Sequence, residues 1–121
     1  EQPWFEAVAA EVTRRAAAEF EPLDVANCLW AFAAVPYSGP GTIARLRDLG
    51  SPLLPEFTAQ NIAISLWSFA VLEFRDSAFF ERSADLFVSQ LHECKSQELN
   101  NMLWAFATAS VRLPWLFLKA G

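Results

Sequence analysis

The sequence predicts an all-α fold, an α-solenoid of helical-hairpin repeats, on three observations. The pentapeptide Leu-Trp-Ala-Phe-Ala at 29–33 returns as Leu-Trp-Ser-Phe-Ala at 66–70 and unchanged at 103–107, so Trp30, Trp67 and Trp104 are separated by 37 residues each time. Self-similarity at a fixed period of roughly 20–50 residues is the mark of stacked units, none of which can bury its apolar face alone. Within each copy the apolar residues recur at helical spacing. The 121-residue chain is also 54% hydrophobic and only 19% charged. That composition excludes intrinsic disorder, which needs low hydrophobicity and high charge.

The period divides the chain, as a single solenoid over 1–121, into a half repeat (1–19), a first repeat (20–56), a second (57–93) and a truncated third (94–121). Residues 1–19 align with 75–93, and 112–121 restart that segment with Pro-Trp-Leu at 114–116 over Pro-Trp-Phe at 3–5. Each unit reads as two helices, giving a right-handed stack of about six. The first helix of repeat one spans about 22–35, with Val25, Leu29, Phe32 and Ala33 on one stripe and Ala26 and Trp30 alongside. Pro22 suits a first turn, and Thr58 and Ser96 suit N-caps of the later copies. The second helix is clearest at 77–91, with Ser77 as cap and Phe79, Phe80, Phe87 and Leu91 as its apolar face. In repeat one, Pro36, Gly39, Pro40, Gly41, Gly50, Pro52 and Pro55 shorten that helix to about 42–49 and leave an irregular segment after it. Short loops imply antiparallel neighbours.

In each pentapeptide Leu and Phe stand three apart, as do Trp and the last Ala, which sets two adjacent apolar ridges on a helix. One ridge is expected on the unit's own second helix and the other on the next unit. The expected core is therefore Leu29, Trp30, Phe32, Leu66, Trp67, Phe69, Leu103, Trp104 and Phe106, each worth roughly 1.5–3 kcal/mol when fully buried. The alternative for the tryptophans is a platform on which nucleic-acid bases stack. Their place inside an apolar helical run weighs for the core.

The runs Ala-Asn-Cys-Leu-Trp-Ala-Phe-Ala (26–33) and Gln-Glu-Leu-Asn-Asn-Met-Leu-Trp-Ala-Phe-Ala (97–107), at this period, resemble octotricopeptide repeats. They are similar, too, to the related Leu-Trp-Ala-Leu-Ala arrays of algal, dinoflagellate and apicomplexan organelle proteins. The resemblance spans essentially the whole chain. It implies helical hairpins, a plastid or mitochondrial location, and RNA binding that controls RNA maturation, stability or translation. Some of that family look like subunits of ribosomal, photosynthetic or respiratory assemblies. No targeting segment is visible, and the sequence opens on Glu1 rather than Met.

In such an array the concave surface comes from one face of successive first helices. The face opposite the core stripe holds Asp24, Asn27, Cys28 and Ala31, then Asn61, Ile64, Ser65 and Ser68, then Glu98, Asn101, Met102 and Ala105. The candidate ligand-facing residues are its polar members: Asp24, Asn27, Asn61, Ser65, Ser68, Glu98 and Asn101. Asn27 and Asn101 share a column, which Ile64 interrupts. These side chains would read one base per repeat, as in other helical-repeat RNA readers; the alternative is that they cap helices or bond nearby loops.

Charge argues the other way. Nine Lys and Arg stand against fourteen Asp and Glu, a net −5, and Arg14, Arg15, Arg45, Arg47, Arg75, Arg82 and Arg112 all belong to the second half of the unit. That is no basic stripe along a reading face. If RNA is bound, its affinity is expected to fall steeply with salt. Two partners therefore fit: single-stranded RNA, or protein subunits of a larger complex for which the chain is a scaffold or structural part. DNA is not expected, and no run reaches the ~20 apolar residues of a transmembrane helix. The truncated last helix, with Leu113, Trp115 and Phe117, is the candidate partner-docking patch, to be covered by a continuing chain or by a partner.

Catalysis has no constellation to stand on. His92 is the single histidine, no Gly-rich phosphate loop exists, and the carboxylates are scattered. No metal site and no cofactor are expected. Cys28 and Cys94 lie in different columns and are expected to be free thiols.

Overall fold

The computed structural model describes residues 3–35, 41–74 and 76–112. The helix-breaking Pro36, Gly39 and Pro40 and the docking candidates Leu113, Trp115 and Phe117 lie outside the described residues. Among the described residues all regular structure is helical: α1 (Pro3–Arg14), α2 (Pro22–Ala34), α3 (Thr42–Gly50), α4 (Ala59–Val71), α5 (Ser77–Ser89) and α6 (Ser96–Arg112), with 3₁₀ turns at Ala17–Glu19, Ser51–Glu56 and Leu91–Glu93.

The three helices that carry the pentapeptide, α2, α4 and α6, form one layer. α4 packs on α2 on one side and on α6 on the other. The second layer is α1, α3 and α5; α3 contacts α1 and α2, and α5 contacts α4 and the Ser51–Glu56 turn. Aromatic pairs join the layers: Phe5 with Phe32 (5.5 Å between ring centroids), Phe69 edge-on to Phe79 (5.1 Å) and Phe80 with Phe106 (5.6 Å).

Each first-layer helix starts by the same local device. A 3₁₀ turn ends one residue short of Phe20, Phe57 or Cys94, whose backbone N–H closes it. The next residue is the N-cap, and the side chain three positions on accepts from the N-cap N–H. Asp24 accepts from Glu21 (2.9 Å), Asn61 from Thr58 (3.1 Å) and Glu98 from Lys95 (3.1 Å). At α4 the bond is returned, Asn61 N–H donating to Thr58 Oγ1 at 3.1 Å, which makes a full capping box. α4 stops in a Schellman turn, with Glu73 at φ 54°. Phe74 N–H reaches Phe69 O, Glu73 N–H reaches Ala70 O, and the Phe69 and Phe74 rings stack at 5.3 Å. α5 is capped by Asp76, not by Ser77, its Oδ1 accepting from Phe79 N–H at 2.9 Å. Leu91, expected on the α5 apolar face, falls in the following 3₁₀ turn and is exposed, while Phe79, Phe80 and Phe87 are buried.

The arginines of the second layer tie neighbouring units together. Arg45 Nη2 donates to Arg15 O (2.7 Å), and Arg82, one period later, donates to Ser51 O (3.1 Å) and Ser51 Oγ (2.7 Å). Arg47 bridges to Asp76 (2.7 Å) and lies over the Phe74 ring, 5.5 Å from its centroid. Glu11 pairs with Arg14 and, at 2.8 Å, with Arg15. The hydrogen bond from Arg14, then that from Arg15, holds the Glu11 carboxyl down to about 2.

Among the described residues two hydroxyls in the core have no partner: Ser65 Oγ and Ser83 Oγ are buried without a hydrogen bond. A buried unsatisfied polar group costs roughly 1–3 kcal/mol. Ser65→Ala is therefore expected to raise unfolding stability by about 1 kcal/mol in urea denaturation. Ser68, whose Oγ donates to Ile64 O at 2.7 Å, is expected to show no such gain. A loss of stability in Ser65→Ala would mean that the hydroxyl is bonded.

Candidate functional site

The tryptophans are not core. Trp30 is 52% exposed and Trp104 58%, while Trp67 is half-buried and packs against the core from outside. Helix geometry gives the reason. The buried positions of α2 are Val25, Ala26, Leu29, Phe32 and Ala33. At 3.6 residues per turn they fill an arc of about 120°, and Trp30 falls about 40° past its edge. It shares the solvent stripe with exposed Leu23 and Asn27. Leu29, Phe32, Leu66 and Phe69 are buried as expected; Leu103 is 58% exposed and Phe106 half-buried.

Burial along the columns shows how the first layer is ordered. Leu29 and Leu66 are fully buried and only Leu103, on α6, is exposed. Cys28 and Ala31 on α2 are half-buried, whereas their equivalents Ser65, Ser68, Met102 and Ala105 are buried. The Leu column thus faces the following helix, and the Cys28 and Ala31 columns face the preceding one. That corrects two expected ligand-facing residues: Ser65 and Ser68 are interior, pressed between neighbouring helices. Asn61 is corrected as well, since it is buried and its amide closes the α4 cap. Asp24 and Glu98 are not buried, but both carboxylates accept cap N–H groups. Of the candidate residues, Asn27 and Asn101 are exposed and make no hydrogen bond among the described residues.

The three pentapeptide tryptophans share one groove. Trp30, Ala63, Ile64, Trp67, Asn101 and Trp104 line an open hollow of about 340 Å³ across α2, α4 and α6. The Trp67 and Trp104 rings stack, 5.7 Å between centroids and 27° between planes. The lining carries no charge, and its one polar side chain is Asn101. The ring surface that this stack leaves open, with an amide beside it, can stack flat, unsaturated groups and offer hydrogen bonds at their edges.

A second hollow of about 290 Å³, lined by Arg15, Glu19, Phe20, Asp24, Asn27 and Cys28, adjoins the same helix. Its Arg15 is already paired with Glu11 and, at 3.7 Å, with Glu19. Burial, and secondarily Asp24, pushes the Cys28 thiol pKa up, so Cys28 stays protonated at neutral pH and is a poor nucleophile. Cys94 is raised as well, first by burial. Both cysteines are free. Among the described residues no cluster of His, Cys, Asp and Glu could hold a metal ion, and no helix is long and apolar enough to cross a membrane.

Comparisons of the chain with protein-family models, with curated proteins and with solved structures return no match.

Proposed function

We propose that the chain is a non-enzymatic helical-repeat module, a solenoid with a 37-residue period, that binds single-stranded RNA in the post-transcriptional gene expression of a plastid or mitochondrion. The observation that carries this reading is the groove, which the tryptophans of the three pentapeptides, Trp30, Trp67 and Trp104, line together and in which the last two stack. Buried aromatics serve packing; aromatics kept in solvent at a large apolar cost, in register, serve a ligand. Base–aromatic stacking is worth roughly 1–3 kcal/mol per base and tolerates any sequence. The equal spacing of the helix starts at Pro22, Ala59 and Ser96 supports the repeat. The organellar setting rests on the resemblance to octotricopeptide repeats.

A second reading, a protein-binding scaffold or subunit of a larger complex, is favoured by one observation. No Lys or Arg lines the groove among the described residues, and the chain carries a net −5. The two readings separate in a titration. A mixed-sequence single-stranded RNA of about twelve nucleotides is expected to quench tryptophan fluorescence at 50 mM salt. With stacking rather than phosphates holding it, affinity is expected to fall less than about fivefold on going to 200 mM. Absence of binding at 50 mM would remove the RNA reading and leave the scaffold.

A further inference from the structure

We propose that a second copy of this chain docks head-to-tail, laying its α2 on the open face of α6. The contact that α2 makes with α4, and α4 with α6, has two sides, and burial separates them. On the side toward the following helix, Val25, Ala26 and Leu29 of α2 are buried, as are Ile62, Ala63 and Leu66 of α4. One period on, Leu99, Asn100 and Leu103 of α6 are all exposed. On the side toward the preceding helix, Asn61, Ser65 and Ser68 of α4 are buried, and so are Met102 and Ala105 of α6. Their counterparts on α2 are not. Asp24 is exposed, Cys28 and Ala31 are half-buried, and the hollow of about 290 Å³ opens beside Asp24 and Cys28. The described residues therefore carry both halves of a contact that the chain makes twice within itself. One half stands uncovered on α6 and the other on α2.

Charge fits the same pairing. Lys95, Leu99 and Leu103 stand four apart and share one stripe on α6. The Lys95 ammonium makes no ion pair among the described residues. α2 begins among the exposed carboxylates of Glu19, Glu21 and Asp24. Continuing the row by one helix in the same sense brings Lys95 against that acidic start and the two leucines against Cys28 and Ala31. A contact between two α6 faces would leave the α2 side and its carboxylates unused. The head-to-tail contact joins unlike surfaces, so it does not close at two copies. It also carries the row of tryptophans on, with Trp30 of the second copy following Trp104, whether or not the groove takes RNA. One helix face per copy is a small interface of the transient class, and the expected dissociation constant is about 10⁻⁴ M. At low micromolar concentration α6 is then uncovered.

Sedimentation velocity of the full chain without RNA tests this. The average mass is expected to correspond to one chain at about 5 µM and to exceed two chains at about 500 µM, as mass action requires. Leu103→Glu spoils the α6 side and Ala31→Lys the α2 side, so each variant alone is expected to lose most of the association. Mixed in equal amounts the two are expected to pair and to stop at two chains, because each keeps the side that the other has lost. Circular dichroism checks that both fold. If Ala31→Lys does not, Glu19→Lys/Glu21→Lys, at exposed positions, takes its place against Lys95. The proposal is overturned if the wild type stays a single chain at the higher concentration, or if the mixed variants do not pair. It is overturned too if association stops at two copies and survives the α2-side variant, which would mean that like α6 faces meet.

Discussion

Replacing Trp104 by alanine is expected to leave the helical fold intact and to weaken RNA binding about tenfold. The two halves of that expectation have separate causes. Trp104 is 58% exposed, so its removal opens no interior cavity, and substitutions away from buried features usually change stability by less than about 0.5 kcal/mol. Its ring face is the part in play for a ligand, and one base–aromatic stack is worth roughly 1–3 kcal/mol, or between about fivefold and 150-fold in affinity. Trp30→Ala is expected to behave alike. Trp67 is different: it packs against the core, so Trp67→Ala is expected to lower both melting temperature and affinity. Circular dichroism melts and fluorescence anisotropy with labelled RNA read the two effects independently. A Trp30→Ala/Trp104→Ala protein that binds RNA as wild type does would show that the groove is not the site. A double variant that unfolds would return these residues to the core, where the apolar run had put them.

The misplacement of the tryptophans has a geometric origin that also explains what was legible. The helical class and the helix starts could be read because each rests on several residues at once. Pro22, Thr58 and the acceptor side chains at 24, 61 and 98 all mark the same boundary. The tryptophan position rests on angle alone. It lies next to buried Leu29 and three before buried Ala33, and an apolar run without a polar face does not say where its buried arc ends. The same ambiguity misassigned Ser65 and Ser68: small hydroxyl residues are legitimate on an exposed face, and here they let adjacent helices approach. Asn61 had a readable signal, since Thr three residues before a polar acceptor at a helix start is a capping pattern. So had the arginines. Arg45 and Arg82 stand one period apart, and residues that recur in register without lying on the ligand face are candidates for ties between units. Their bonds to Arg15 O and Ser51 O place them on the layer away from the tryptophans. They leave the tryptophan groove without described cations, so the RNA binding proposed there would have to rest on stacking.

The same leucine of the same pentapeptide should tell the repeats apart. Leu66→Ala is expected to cost about 2–5 kcal/mol of unfolding free energy, the range for a buried leucine whose surroundings cannot collapse into the space. Leu103→Ala is expected to cost less than about 0.5 kcal/mol. Sequence context does not separate them, because each stands directly before Trp in its own copy. Position in the row does: Leu66 lies in α4, flanked by α2 and α6, and is wholly buried, whereas Leu103 faces outward from α6 and is 58% exposed. Leu29, buried between α2 and its follower, should track Leu66. Urea denaturation of the three variants followed by circular dichroism measures the contrast. Equal losses at Leu66 and Leu103 would mean that α6 has a neighbour in solution over its open face, and the side-by-side order drawn from the burial columns would then extend one helix further than α6.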